Sequence, residues 1–442
     1  MRKNKFKLGL LTISSALLLT VGCINQKRGC NKAVKNCKTS SKITAKVGYV
    51  HNISPEKAGY EAVESALSKF ENKKADLIIV YVNYKFENAT DFRNKIERAF
   101  KGARAASNGN MVIGTCATAG ILSSEKNNIT NAVGAVALKA DANSSIKVAK
   151  VENILHNLRQ SGENLASLVK GENNKAMLLF TDSNISHNQP QVKDFLAGVQ
   201  SVVNVPVAGG NSTGFSDFNA PVYYKDKLIA KSAIAVMLSG NFKVGTAYAN
   251  NFDFVNNKPL VVTKSDGRKV YEVNNQPIDK VVQKLTNVDS MGQKNIGAAL
   301  KNICAYKIDD RPYIRFQRGL KVDEIGAYYD GWPNKMPVGT VLNIAKYNQS
   351  RLITSAKDSV KRAMQSGKIT NPYVLFSFNC NGRSGIGQEP VAENKTICET
   401  VGLNVPVAGY YACGEITTTN YPSAQQKVRY AQFSSIVMVI GE

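Results

Sequence analysis

The sequence reads PYVLFSFNCNGR over residues 372–383 and VPVAGYYACGE over residues 405–415, and these two apolar runs decide the fold. Short apolar runs bounded by turn residues are typical of buried strands, and the segment between them has the length of one helix. The stretch therefore predicts a strand, a helix and a second strand. Where the chain leaves the first strand through Asn, Gly and Arg, it presents backbone N–H groups and a fixed cation at a sheet edge, where open α/β sheets bind ligands.

The same layout occurs earlier in the chain. Residues 204–214 match residues 404–414 at seven of eleven positions, and both segments begin with the six residues NVPVAG. A fainter copy pairs an apolar run at residues 76–82 with another at residues 111–120. In each copy roughly 25 to 30 residues separate the two strands, as in a βαβ unit. We predict an α/β fold with mixed sheets, made of two related domains that share repeated strand–helix–strand–Gly units, with a third such unit at the N-terminal end.

Composition describes an ordinary globular chain with an unusual charge. The 442 residues are 43% hydrophobic and 20% charged, yet the formal net charge is +24. Such a charge suits an anionic polymer or membrane, whereas Lys-and-Asn richness is also typical of an AT-rich genome, and both interpretations stay open. The basic residues are spread along the chain without a run of five or six, so no specific nucleic-acid partner is predicted.

The first 22 residues predict a targeting segment. Four basic residues lie among the first seven, and an apolar run at Leu8–Val21 follows, which is shorter than the approximately 20 residues of a membrane span. The segment ends in Gly22 and Cys23, which resembles the bacterial lipobox, although Thr20 replaces the usual Leu. The resemblance implies cleavage after Gly22 and lipidation of Cys23. The alternative is an ordinary secretory signal. With lipidation, we expect a protein anchored to a membrane in the cell envelope, outside the cytoplasm.

Residues 23–46 lack apolar periodicity and predict a tether; beyond them the chain alternates strands and helices, with a helix expected within residues 145–170. No CxxC or HExxH spacing occurs and the three His residues are scattered, so neither a metal site nor a cofactor is predicted. Seven cysteines remain besides Cys23, and their disulfide connectivity is left open: Cys30, Cys37, Cys116, Cys304, Cys380, Cys398 and Cys413.

Several motifs together resemble the FIST family, in which a FIST N-terminal domain precedes a FIST C domain. They lie at residues 113–120, 205–210, 262–277, 336–340, 378–383, 405–409 and 414–416. The resemblance implies domains at residues 47–262 and 263–442. It also implies a sensory protein that binds small ligands such as amino acids, usually beside a signalling output module. This sequence contains no such module, so we expect signalling through, or presentation to, a separate partner.

The second-half motifs supply the candidate ligand site. Arg383 offers a planar, permanent cation suited to a carboxylate, and Glu415 could hold an ammonium group, so that the two together suit a zwitterion. The alternative, without a ligand, is that Arg383 and Glu415 pair with each other or fix the turn. Hydrogen-bonding, backbone and wall positions complete the predicted site: Asn379, Asn381, Gly382, Tyr410, Tyr411 and Gly414, with Ser212 and Thr213 at the equivalent turn of the first copy, where turn stabilisation is the alternative.

A thiol enzyme and an envelope-binding protein are the two other classes of function. A thiol enzyme would need a base beside Cys380 or Cys413, and pairing His187 with Cys380 would require both halves to meet. No GxSxG, P-loop or paired-carboxylate motif occurs, so we expect no catalysis. An envelope protein that binds an anionic polymer or a protein partner is the third class, and salt-sensitive binding would distinguish it.

Overall fold

The computed structural model describes residues 42–442 except 126–129, 188, 215–219, 268, 287–302, 309–310, 314–320, 323–327, 330–335, 387–389 and 420–425. Cys23, Cys30, Cys37 and the predicted tether up to residue 41 therefore lie outside the described residues, and the side chains of His187 and Cys304 do as well. The end of the predicted tether is corrected: residues 43–46 already belong to the first strand, Ile43–His51, because Ile43 and Ala45 are buried in the core. Within the described part of the chain, no helix is both long and apolar enough to cross a membrane.

The chain from residue 43 to residue 140 forms the first unit. Its elements are β1 (Ile43–His51), α1 (Pro55–Leu67), β2 (Leu77–Asn83), α2 (Ala89–Ala106), β3 (Val112–Cys116), β4 (Ile121–Ser123) and β5 (Ala132–Ala140). Helix α1 has Pro55 in its first turn, and the Asn88 side chain caps α2 by accepting from the backbone N–H of Asp91.

The second unit repeats this order. Its elements are β6 (Ser145–Val151), α3 (Leu158–Val169), β7 (Asn174–Thr181), α4 (Asn184–His187), α5 (Gln189–Val202), β8 (Val207–Asn211), β9 (Val222–Tyr224), β10 (Lys227–Ile229) and β11 (Ala233–Ser239). The helix expected within residues 145–170 begins only at Leu158. Residues 145–151 form β6 instead, because Ile146, Val148 and Val151 can pack beside β11.

A third unit follows, interrupted by an inserted sheet. Before the insertion it has β12 (Lys243–Asn250). The insertion contains β13 (Phe252–Phe254), β14 (Leu260–Asp266), β15 (Lys269–Val273), β16 (Gln276–Pro277), α6 (Ile278–Thr286), β17 (Ile303–Ile308), β18 (Arg311–Tyr313), β19 (Lys321–Val322), β20 (Tyr328–Tyr329) and β21 (Val341–Tyr347). The unit then resumes with α7 (Leu352–Gly367), β22 (Pro372–Cys380), α8 (Asn381–Ile386), α9 (Pro390–Val401), β23 (Val407–Ala412), β24 (Glu415–Thr419), β25 (Lys427–Ala431) and β26 (Ser434–Gly441).

Each unit builds one sheet of the same design. The strand orders are β1-β5-β2-β3-β9-β10, β6-β11-β7-β8-β24-β25 and β12-β26-β22-β23-β4. In each sheet the two strands of the βαβ motif are parallel and their neighbours are antiparallel. The predicted α/β fold with mixed sheets and repeated strand–helix–strand–Gly units is thus confirmed, and the faint third copy is a complete unit.

The units exchange strands in a closed cycle. Strand β4 leaves the first unit and pairs with β23 of the third, β9 leaves the second and pairs with β3 of the first, and β24 leaves the third and pairs with β8 of the second. Each of these three sheets therefore contains strands from another unit. The domain boundary between residues 262 and 263 stays a prediction. Strands β12 and β26 come from opposite sides of that boundary and pair along eight residues.

A glycine at the same place in each unit allows the two parallel strands to lie side by side. A Cβ atom on Gly114, Gly209 or Gly409 would lie 2.5, 1.8 or 1.8 Å from the carbonyl oxygen of the neighbouring strand. This steric demand explains why Gly recurs within the repeated NVPVAG segments.

The inner faces of the three sheets share one apolar core. Tyr81, Phe180 and Phe378 occupy the same position in β2, β7 and β22, and their rings meet at centroid distances of 6.5 and 6.1 Å. Helices α1 with α2, α3 with α5, and α7 with α9 cover the outer faces. The carboxyl ends of the parallel strands are therefore brought together around this shared core.

Candidate functional site

Asn83, Asp182 and Cys380 take equivalent positions at the carboxyl ends of β2, β7 and β22. In the first two units the side-chain oxygen accepts a hydrogen bond from the backbone N–H just before the last strand, Asn131 to Asn83 at 2.8 Å and Lys231 to Asp182 at 2.9 Å. Both donors have a positive φ, 48° and 49°. These side chains hold a left-handed turn in place.

Cys380 places a sulfur at this position. The sulfur lies beside the backbone N–H of Phe433, which has a φ of 53°, and that of Gly382 two residues downstream. In the second unit Asp182 accepts from the equivalent N–H, that of Asn184, at 2.6 Å. A thiol is a weaker acceptor than an amide or carboxylate oxygen. The third unit therefore contains a thiol where turn stabilisation alone would favour Asn or Asp.

Glu415 departs from the repeat in a second way. It lies opposite Gly210 in the β24–β8 pair, and the equivalent partners in the other sheets are aliphatic: Ile121 lies opposite Tyr410, and the β3–β9 register places Val222 opposite Thr115. Glu415 is fully buried. A carboxyl at a position that tolerates Ile or Val costs free energy, which points to a chemical rather than a packing role.

The surroundings of Glu415 are polar but sparse. Its Oε1 accepts from the backbone N–H of Gly414 and its Oε2 from that of Ser434, both at 3.2 Å, and the Cys380 thiol lies beside the same carboxyl. Burial raises the pKa of Glu415 well above its usual range, although these hydrogen bonds and the Arg383 charge oppose the shift. Burial and the nearby Glu415 likewise raise the pKa of Cys380.

Cys413 completes what we call the thiol–carboxyl cluster, defined as Cys380, Cys413 and Glu415. The turn that carries Cys413 is fixed: its carbonyl accepts from Asn211 Nδ2 at 3.0 Å and from the Tyr430 hydroxyl at 3.1 Å. Gly414 is required there, since it has a φ of 98° and an added Cβ would lie 1.6 Å from the Tyr430 oxygen. Cys413 is partly exposed, so solutes reach the cluster from its side.

Gln432 was not predicted as a site residue. It lies in the turn between β25 and β26. It follows Ala431, which pairs with Glu415, and it is 1% exposed. Among the described residues, neither its amide oxygen nor its amide nitrogen has a hydrogen-bond partner. Leaving such groups unpaired costs about 1–3 kcal/mol, which a polar ligand could offset. No motif in the sequence indicated this residue.

Arg383 is placed differently from the expectation. It is 1% exposed, and its Nε donates to Glu393 Oε1 at 2.9 Å. One terminal nitrogen also contacts Glu393 and donates to the Leu352 carbonyl at 2.9 Å and the Ser355 hydroxyl at 3.0 Å. The alternative of an ion pair with Glu415 is wrong, because the carboxylate partner is Glu393 on α9. The guanidinium is occupied by the protein's own groups.

The two predicted wall residues lie on opposite faces of β23. The Tyr411 hydroxyl donates to Glu393 Oε2 at 2.7 Å, on the helix side. The Tyr410 hydroxyl donates to the Gly210 carbonyl at 2.7 Å, and its ring packs in the shared core. Asn379 is buried, and its oxygen accepts from the Ser377 hydroxyl at 3.1 Å. Asn379 lies opposite Tyr411 in the β22–β23 pair, beside its side chain. The structure thus brings Asn379 and Tyr411 together but places Tyr410 on the other face of the sheet.

Asn381, Gly382 and Gly414 do lie near the thiol–carboxyl cluster, and Asn381 and Gly382 are partly exposed. Ser212 and Thr213 lie in the second unit's turn: Ser212 Oγ is 2.6 Å from Thr115 Oγ1, and Thr213 Oγ1 accepts from the backbone N–H of Thr118. These contacts stabilise the turn, the alternative given above. Among the described residues, no group of three or more His, Cys, Asp or Glu is arranged to hold a metal ion.

Comparison with protein-family models gives the family. The FIST N domain model matches residues 76–276, and the FIST C domain model matches residues 331–418. No protein of the curated set matches. Among solved structures, a cyanuric acid hydrolase from A. caulinodans matches at 9% identity and a TM-score of 0.34, covering 90% of this chain and 99% of that one. A second cyanuric acid hydrolase structure matches at 8% identity and a TM-score of 0.33, with the same coverage. At these TM-scores and identities, nothing about the function of this chain follows from the two structures.

Proposed function

The chain belongs to the FIST family, and from that premise we propose that it is a sensory protein whose thiol–carboxyl cluster binds a small ligand bearing an amino group. FIST domains are generally associated with sensory signal transduction and with binding small ligands. Amino acids are the ligand class that the resemblance implies. The proposal places the ligand's amino group at Glu415.

One observation carries this proposal: Glu415 is a buried carboxyl at a position where the other two units have Ile121 and Val222. An ammonium group beside it would stabilise the ionised carboxylate and offset its desolvation. Because Arg383 is saturated by Glu393 and neighbouring groups, a ligand carboxylate would instead meet neutral donors such as Asn381 and the backbone around Gly382.

The test is a thermal-shift screen of the full chain against amino acids, simple amines and small carboxylates, followed by Glu415→Gln. A ligand at 100 times its Kd stabilises the fold by about 2.7 kcal/mol. We expect Glu415→Gln to lose at least about tenfold in affinity for the best amine, since the variant keeps shape but not charge. Glu399→Gln is the matched control, because Glu399 is exposed and pairs only with Lys395. Equal binding by both variants would rule out the Glu415 site.

The same pair of variants gives a second readout, in pH. A carboxyl whose pKa is raised by folding destabilises the folded state as pH rises above its unfolded value of about 4.3. Without ligand, the Tm of Glu415→Gln relative to wild type should therefore increase between pH 5 and pH 8. A screen without amine hits but with strong, salt-sensitive binding to an anionic polymer would favour the envelope-polymer function instead.

We further propose that the protein acts without catalysis, is anchored to the membrane through Cys23, and reports ligand binding to a separate signalling partner in the cell envelope. In a detergent phase-separation assay of cell extracts, the wild-type chain should enter the detergent phase and Cys23→Ala the aqueous phase. Identical partitioning of the two would contradict the anchor.

A further inference from the structure

The two cysteines of the thiol–carboxyl cluster lie at the ends of adjacent strands. Cys380 pairs with Ala412 in the parallel β22–β23 ladder, and Cys413 is the next residue. Neighbouring strands are about 4.8 Å apart and residues advance about 3.3 Å along a strand, which puts the two Cα atoms about 6 Å apart. Disulfide-bonded cysteines have Cα atoms about 4.4–6.8 Å apart. Both cysteines are thiols in this structure.

The pair is particular to the third unit. The position of Cys380 is taken by Asn83 and Asp182 in the other units, and that of Cys413 by Thr118 and Thr213, counted from the equivalent glycines. Turn stabilisation therefore needs no sulfur at either position. Two sulfur atoms replace oxygen-bearing side chains in the same unit that contains the unusual Glu415.

The two thiols differ in accessibility. Cys413 is partly exposed, whereas Cys380 is only 8% exposed and lies beside the Glu415 carboxyl. A small oxidant would meet Cys413 first. Cys380 lies behind it, with a carboxyl in place to receive its proton. This is the arrangement of an exposed thiol with a buried resolving thiol.

We propose that Cys413 and Cys380 are a peroxide-responsive thiol pair that closes to an intramolecular disulfide. In the first step a peroxide ROOH oxidises the Cys413 thiol to a sulfenic acid and is itself reduced to the alcohol ROH. In the second step the Cys380 sulfur attacks the sulfenic sulfur and passes its proton to Glu415. The S–O bond breaks, and the leaving hydroxide takes up that proton as water. The pair has then lost two electrons, which the peroxide has gained.

Closure would alter the carboxyl site. The new S–S bond removes the thiol hydrogen beside Glu415 and turns the Cys380 sulfur toward Cys413, away from the Phe433 N–H at the turn before β26. Oxidation is therefore expected to change the amine affinity of Glu415, and this consequence rests on the proposed function. Formation of the disulfide does not, so the two can fail separately.

The experiment maps thiols in the full wild-type chain before and after treatment with hydrogen peroxide, by alkylation and peptide mass spectrometry. We expect a cross-linked peptide pair containing Cys380 and Cys413 in nearly all oxidised molecules, which disappears on reduction. Both thiols remaining open to alkylation, or Cys413 joined to a different cysteine, would overturn the proposal. Because this test uses the wild-type chain, it does not depend on a variant that folds.

Two variants make the thiol-mapping experiment more specific. Cys380→Asn installs the residue that Asn83 provides in the first unit, so the turn should be retained while Cys413 stops at the sulfenic acid, detectable with a dimedone-type probe. Cys398→Ser is the control, because Cys398 is a buried cysteine on α9 whose sulfur contacts the Ser123 carbonyl at 3.8 Å. It should cross-link like wild type. A sulfenic acid absent from Cys380→Asn would also count against the mechanism.

Discussion

Arg383→Met should lower the free energy of unfolding by about 3–5 kcal/mol, measured by urea denaturation at pH 7. The substitution keeps an apolar stem of similar length but leaves Glu393, which is 1% exposed, as an uncompensated buried charge. It also deprives the Leu352 carbonyl and the Ser355 hydroxyl of their donor. The pair joins the start of α7 to α9 and α8, so its loss should loosen the helix layer of the third unit.

Arg351→Met is the matched control. Arg351 pairs with Asp253, but both side chains are 43% exposed, and pairs that exposed contribute about 0–1 kcal/mol. Adding Glu393→Gln to Arg383→Met should recover part of the loss, because a neutral amide still accepts from Tyr411. If Arg383→Met instead has wild-type stability and binds no ligand, Arg383 is the carboxylate-binding residue that the sequence predicts, and the structural role assigned here is wrong.

Chains cut at the predicted boundary, residues 47–262 and 263–442, should each fail to show a cooperative unfolding transition when made separately. The first piece would lose β24 from the sheet of the second unit and β26 from beside β12, and the second would lose β12 and β4 from its own sheet. Each piece would expose strand edges and much of the core the three sheets share.

Circular dichroism and calorimetry of each piece, and of the two mixed, provide the measurement. Co-expression should restore one transition if the pieces can associate. The control is the full chain cleaved once between α6 and β17, with both parts kept together. The β12–β26 pairing and the β4 and β24 exchanges still join the two parts. A sharp transition from residues 47–262 alone would show that the exchanged strands are dispensable.

Much of the fold could be read from local pattern. The apolar runs around β2, β7, β22 and their partners fix where strands lie, because a run of that length needs burial on both faces. The repeated NVPVAG segment fixes the repeat, since each parallel pair needs a glycine beside a carbonyl. The pattern over residues 145–151 predicts part of a helix rather than strand β6, because the partly exposed residues of β6 alternate only weakly.

The sequence by itself thus determined the repeated strand–helix–strand units and the family, because these depend on residues near one another in the chain. Only the tertiary structure decided the strand exchange and the partners of the charged residues. The sequence places both Glu393 and Glu415 downstream of Arg383. That Arg383 pairs with Glu393 and not with Glu415 depends on how α9 packs against α7. That Glu415 occupies the place of an aliphatic residue is visible only once three sheets, each completed by a strand from another unit, can be superposed.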